Sequence, residues 1–204
     1  MNTLPHPDDT LIDALFGVIA EHGWRGVSLT RLAAASGLPV RELSERFPSR
    51  LDLLRLHGER VAASVAAGTV PGQGGSPRDR IFDVLMRGID ALQPHRAGMQ
   101  GLIRSMWGDA VLSVALAPVL KRAMVGMLDA AEIDTAGPRG QLRAVALVGV
   151  WLRVVNAWSK DDTQDLAPTM AVLDRVLERA EQAARSLGLD QGDLAASSPA
   201  TPTL

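Results

Sequence analysis

Residues 27–54 read VSLTRLAAASGLPVRELSERFPSRLDLL, and this stretch has the pattern of a helix, a tight glycine turn and a short second helix. Leu29, Leu32 and Ala33 recur at helical spacing and form one apolar face, and Leu38, Leu43 and Phe47 return apolar groups to the same side. Gly37 stands between the two runs, where a sharp reversal needs backbone angles that a side chain disfavours. The small residues Ala33, Ala34 and Ala35 let the two helices approach closely. Together these features describe a helix-turn-helix, whose second helix lies in the major groove of DNA.

A reading helix needs polar or basic groups on its outer face, because base edges and phosphates are recognised by hydrogen bonds and charge. That helix is expected at residues 39–46. With Leu43 and Phe47 turned inward, Pro39, Val40, Arg41, Glu42, Ser44, Glu45 and Arg46 are the candidate contacts. Ser28, Thr30 and Arg31 at the start of the preceding helix, and Arg50 at the start of the next, are placed to bind backbone phosphates. The charge balance is unfavourable: residues 1–60 hold seven Arg against eight Asp and Glu, and the whole chain carries a net charge of -2. No broad basic field draws this protein onto a polyanion, so affinity depends on local placement. Glu can accept a hydrogen bond from cytosine, but Glu42 and Glu45 weaken the attraction to phosphate. A solvated helix surface that merely keeps the fold is the alternative reading of the same face.

Outward from this core, a first helix is expected from Asp8 to Gly23 with Leu11, Leu15, Phe16 and Ile19 buried, and a fourth from Arg50 to about Ala67. The segment GTVPGQGGSP that follows is the expected domain boundary. Further helices are expected at about 78–93, 97–107, 109–131, 139–160 and 167–187. The tail from residue 189 is poor in apolar residues and rich in Ser, Thr and Pro, the composition of a disordered segment. This divides the 204 residues into a head (1–49), a helical body (50–188) and a tail (189–204).

Leu and Ala dominate while aromatics make up 3% of the chain and Tyr is absent, which favours packed helices over sheets, an all-α fold. The absence of Cys excludes disulfides, thiolate chemistry and Cys-ligated zinc or iron–sulfur clusters. The first residues, MNTLPHPDD, lack the basic and apolar regions of a secretory signal, and no apolar stretch is expected to reach the roughly 18 residues of a membrane span. The expected location is cytoplasmic.

From about Thr10 to Arg60 the chain resembles the TetR family of one-component transcriptional regulators. The likeness is carried by the apolar first helix with its break at Gly23 and Trp24, the restart at Ser28–Thr30, LAAASGL at residues 32–38, and FPSRLDLL at residues 47–54. Arg50 stands where the family usually has lysine, and Ser44 where it usually has tyrosine. The resemblance implies a three-helix reading head, a helical body that binds a small molecule, and a homodimer through the last two helices. Its DNA partner would be a pseudo-palindromic double-stranded operator. A second resemblance covers residues 158–179, similar to the TetR-like lipid-binding accessory protein of ubiquinone biosynthesis. It rests on Trp158, Asp162, Asp165, Thr169, Leu173 and Arg175, and it implies a lipid or isoprenoid-quinone binder that no longer reads DNA. An acidic loop capping a helix explains the same residues structurally.

In the body, apolar stripes at Leu102, Ile103, Met106 and Trp107, at Val111 to Met127, and at Leu147 to Val155 require one another or a ligand. Leu102, Met106, Trp107, Met124, Val148, Trp151 and Val155 are the candidate lining of a pocket for an apolar or amphipathic effector, with ordinary core as the alternative. Gly140, Ala144, Val148, Trp151 and Val155 on the penultimate helix, and Met170, Leu173, Val176, Leu177 and Ala180 on the last, have the spacing of a dimer seam.

Nothing has the spacing of a nucleophile with its base or of a metal-ligand set, and neither catalysis, a cofactor nor a metal is expected. His22 and His57 are isolated and are expected at the surface or an interface, His95 follows Pro94 in a turn, and adjacent Asp161 and Asp162 read as a solvated loop.

Overall fold

In the computed structural model, which describes residues 7–70, 72 and 75–186, every regular element is helical. Nine α-helices occur among the described residues: α1 (Pro7–His22), α2 (Leu29–Ser36), α3 (Val40–Arg46), α4 (Arg50–Gly68), α5 (Pro77–Leu92), α6 (Arg96–Gly108), α7 (Ala110–Ala130), α8 (Gly137–Trp158) and α9 (Ala167–Ser186). Short 3₁₀ turns, Trp24–Gly26 and Gln93–His95, join α1 to α2 and α5 to α6. The all-α expectation holds, with helix ends within two residues of those read from the sequence. The tail expected to be disordered lies outside the described residues.

Contacts divide the chain into two units. One takes in the described residues up to Val65 together with Gly88–Ala123; the other takes in Ala66–Arg87 and the described residues from Met124 onward. The expected head, residues 1–49, thus shares its unit with α6 and parts of α4, α5 and α7. The described residues of the Gly/Pro-rich segment fall inside the second unit, where Gly72 and Gly75 are held by hydrogen bonds. The Gly72 amide donates to Glu132 Oε1 (3.0 Å), and Arg80 reaches the carbonyls of Gly75 and Ala131 (3.0 and 2.8 Å).

In the first unit α1 lies along α6 at a separation only glycine allows. A Cβ on Gly98 would stand 2.4 Å from the Phe16 carbonyl oxygen, and one on Gly101 3.0 Å from that of Ile19. Leu11, Leu15 and Ile19 of α1 are fully buried, and Trp24, Val27, Leu32, Leu43, Leu53, Leu102, Leu112 and Leu116 complete the same core. Beside it sits a cluster of rings. Phe16 meets His57 edge-on at 4.6 Å and stacks on His95 at 4.9 Å, and the two imidazoles stand 5.3 Å apart. His95 Nε2 lies 2.8 Å from Asp13 Oδ1, whereas His57 Nε2 is buried with no hydrogen-bond partner among the described residues. The surface expectation for His57 therefore fails: its place in α4 between Leu53 and Val61 puts it on the buried face.

In the second unit α8 packs along α9; Ala144, Leu147, Trp151, Val154, Val155 and Trp158 of α8 and Leu173 and Leu177 of α9 are buried, as are Val84, Leu85, Met124 and Met127. Most of the expected dimer seam is spent here. Gly140, Ala144, Trp151, Val155, Leu173 and Leu177 are buried within the unit, while the apolar residues α8 leaves outside are Leu142 and Val145, with Ala146 also exposed. Helical spacing cannot distinguish a face that meets the next helix from one that meets a second copy.

Asp161 also departs from expectation. It is only 4% exposed and caps α9: its Oδ2 accepts from the Thr169 amide and hydroxyl (3.0 and 2.6 Å), and its Oδ1 from those of Thr163 (3.1 and 2.6 Å). Burial pushes the Asp161 carboxyl up, but these hydrogen bonds together outweigh it and hold it at about 2. Leu166, at φ 53°, turns the loop back so that a residue eight positions earlier can cap the helix. Helix α7 corrects a further expectation. Over an 18-residue window its mean hydropathy is 1.7, long and apolar enough to cross a membrane by length and composition alone. Leu112 and Leu116 bury in the core of the first unit and Met124, Met127 and Leu128 are buried in the second, but only 28% of that window is buried, and Val111 and Val114 stand exposed.

Burial, reinforced by the neighbouring His95, lowers the His57 ring from its ordinary 6.5 to about 3. The unfolded chain takes up this proton near 6.5 and the folded chain only near 3. The stabilisation is therefore complete above about 6.5 and is lost progressively as the pH falls toward 3. Over that window the loss is at most about 5 kcal/mol. Thermal melts of wild type and His57→Phe between pH 7 and 4 should show a smaller acid-side decline in the variant, and parallel declines would remove His57 as the cause.

Candidate nucleic-acid interface

Local chemistry accounts for each turn of the helix-turn-helix. Ser28 caps α2 by accepting from the Arg31 amide at 3.3 Å. Gly37 ends α2 in the left-handed conformation, φ 74°, and its amide closes the turn on the Ala33 carbonyl at 2.9 Å. Pro39 then precedes α3 with a fixed backbone angle. Leu32 and Leu43, each 1% exposed, anchor the two helices to the same core.

With Leu43 inward, the structure turns Val40, Arg41, Ser44, Glu45 and Arg46 outward and leaves Glu42 half-buried. The exposed face is therefore the one expected from the sequence, with Pro39 at its entry. Its charges, however, are already paired. Arg41 Nε donates to Glu45 Oε1 at 2.9 Å, and Arg46 donates to Glu42 Oε1 at 3.5 Å and to Asp8 Oδ1 at 2.5 Å. The Ser44 hydroxyl donates back to the Arg41 carbonyl at 2.8 Å.

The two reading-helix arginines are not equivalent. Arg41 projects into solvent, whereas Arg46 lies over the Phe47 ring at 5.1 Å and shares the Asp8 carboxylate with Arg60 of α4 (3.1 Å). The Asp8 side chain is only 13% exposed, so α1, α3 and α4 meet at one carboxylate. This bridge between helices distant in sequence has no signature in residue spacing, and Arg46 is a strut as much as a contact.

A surface hollow of about 220 Å³ opens beside the start of α2, lined by Val27, Ser28, Leu29, Leu32, Phe47, Pro48, Arg50 and Leu53. Arg50 forms one side of it, with its guanidinium 5.1 Å from the Trp24 ring centroid and Nη1 bonded to the Trp24 carbonyl at 3.2 Å. Thr30 and Arg31 are exposed nearby, and Arg31 Nη1 is held by the Gly26 carbonyl at 2.8 Å. Ser28 and Arg50 are thus the polar residues of an otherwise mostly apolar hollow at the N-terminal end of α2.

The candidate effector-binding residues are divided between the two units. Leu102 is buried in the first unit's core with Met106 packed against it, while Met124, Trp151 and Val155 are buried and Val148 half-buried in the second. Trp107 is not a buried wall but 72% exposed. Val111 and Val114, expected in an interior stripe, are 80% and 74% exposed.

The backbone is similar to several solved structures. A TetR transcriptional regulator from Rhodococcus sp. RHA1 superposes with a TM-score of 0.59 at 22% identity, over 84% of this chain and 93% of that one. A tetR-family transcriptional regulator from Streptomyces coelicolor gives 0.53 at 20% identity, over 91% and 83%. A TetR-like transcriptional regulator from Rhodococcus sp. RHA1 gives 0.53 at 19% identity, over 88% and 98%. The chain has the TetR-family fold. No protein-family model and no curated protein matches it by sequence. The TetR-like fold accounts for the helix order from α1 to α9. Of the six residues that carried the second resemblance, Trp158, Thr169 and Leu173 are buried, with Thr169 bonded to Asp161, and Asp162, Asp165 and Arg175 are exposed.

Stability separates the two arginines. Arg46→Ala should lower it by about 1–2 kcal/mol, through loss of the Asp8 bridge and the Phe47 contact, whereas Arg41→Ala should change it by less than about 0.5 kcal/mol. Urea unfolding followed by circular dichroism measures both, and equal effects would reject the strut.

Proposed function

We propose that this chain is a DNA-binding transcriptional regulator that acts as a homodimeric repressor and is released from its operator by an apolar or amphipathic small molecule. The supporting observation is the exposed outer face of α3, held against a common core by Leu32 and Leu43, in a fold shared with solved TetR regulators. Fold alone does not carry function; that face and the hollow beside it support the reading. Residues 1–49 would form the reading head and residues 50–188 the body. Arg41, Glu42, Ser44 and Glu45 would face base edges with Val40. Ser28, Thr30, Arg31 and Arg50 would hold the backbone, a phosphate entering the hollow between Ser28 and Arg50.

The chain would work in the cytoplasm as a regulator rather than an enzyme. The exposed α8 residues Leu142, Val145 and Ala146 offer a second copy an apolar face, and two reading heads would then match a two-fold operator. The interior rich in Met124, Met127 and Trp151 would supply the effector's environment. An effector releases DNA only to the extent that it binds the DNA-incompetent arrangement more tightly, so its influence is bounded by that difference in affinity.

Titrating the full-length protein with duplex DNA from its own upstream intergenic region, against scrambled duplex at several salt concentrations, tests the reading. Preference for the native duplex above about tenfold is expected, with binding falling steeply as salt rises. Equal and weak binding to both would reject it. Val145→Glu should shift the protein from dimer to monomer in analytical ultracentrifugation and weaken operator binding, whereas an unchanged dimer would move the interface elsewhere.

A further inference from the structure

The Arg41–Glu45 pair is the most exposed polar feature of α3, its side chains 88% and 63% accessible. An exposed pair one helical turn apart adds little to stability, so the fold gives it little work. Its geometry leaves particular groups unused. The contact joins Arg41 Nε to Glu45 Oε1, so the end-on fork of the guanidinium, Nη1 and Nη2, and the second carboxylate oxygen, Oε2, make no hydrogen bond among the described residues. The neighbouring polar groups are engaged elsewhere: Ser44 with the Arg41 carbonyl, and Arg46 with Asp8 and Glu42.

The joined pair therefore offers two donors beside one acceptor. In the major groove a G·C base pair presents guanine N7 and O6, two acceptors, followed by the cytosine amino group, a donor. An A·T pair presents acceptor, donor, acceptor and a methyl group, and cannot satisfy the same array. We propose that Arg41 and Glu45 act as one reading unit that selects a G·C base pair in each half-site, with the Arg41 fork on guanine and Glu45 on the cytosine amino group. Glu45, otherwise an unfavourable charge facing a polyanion, becomes the residue that fixes the orientation of that base pair. This inference rests on the reading of the chain as a DNA-binding regulator.

Selection from a pool of random duplexes by the full-length protein tests it, with Glu45→Gln and Arg41→Lys run in parallel after their melting temperatures are shown to match wild type. Wild type should enrich a two-fold motif with a fixed G·C pair at one position of each half-site. Each variant should lose roughly tenfold of the preference for G·C over A·T at that position alone. The motif returned unchanged by both variants would overturn the inference and leave the DNA-binding reading standing. No motif from wild type would overturn both.

Discussion

The backbone contact between α1 and α6 is the constraint on which the first unit depends. Gly98 and Gly101 bring α6 against the carbonyls of Phe16 and Ile19, and any side chain there would have to displace main chain. Leu11, Leu15 and Phe16 of the same helix belong to the core that receives Leu32 and Leu43. The position of the helix-turn-helix is thus set by the seating of α1, and Arg25 secures the far end of the contact through Asp109 at 3.1 Å. The ring cluster lies beside the same joint, and its buried imidazole ties the integrity of the joint to proton concentration.

The electrostatics of the head follow a different logic from its packing. A protein that depended on broad positive potential would carry unpaired arginines on α3. Here Arg41 and Arg46 are each answered by a carboxylate, and Asp8 gathers Arg46 and Arg60 together. The consequence is a surface on which direction and order of donors matter more than charge. Arg50, resting on Trp24, shows the same economy: its guanidinium is fixed by a ring and a carbonyl before any anion arrives.

Much of this was legible in the sequence because it is local. Apolar periodicity located all nine helices of the described residues, and Ser28, Gly37 and Pro39 marked the ends of α2 and α3 through chemistry confined to a few neighbours. What escaped was long-range or depended on which of two partners a face meets. The Gly98 contact leaves no pattern, since a small residue in a helix reads as neutral. Asp161 looked like part of a solvated loop because the positive φ of Leu166, which folds that loop back, is not written in composition. The apolar spacing of α8 marks a packed face, much of which is already buried in one copy where α8 lies along α9. Trp107, Val111 and Val114 are apolar enough to be expected inside, and the structure leaves them outside.

The distribution of tryptophan has an optical consequence. The chain contains no tyrosine and four tryptophans, so its ultraviolet emission comes almost wholly from indoles. Trp24 and Trp107 belong to the first unit, one buried and one open to water; Trp151 and Trp158 belong to the second and are both interior. The long-wavelength, readily quenched part of the emission therefore reports on a single site at the end of α6, and the shielded part on the two cores.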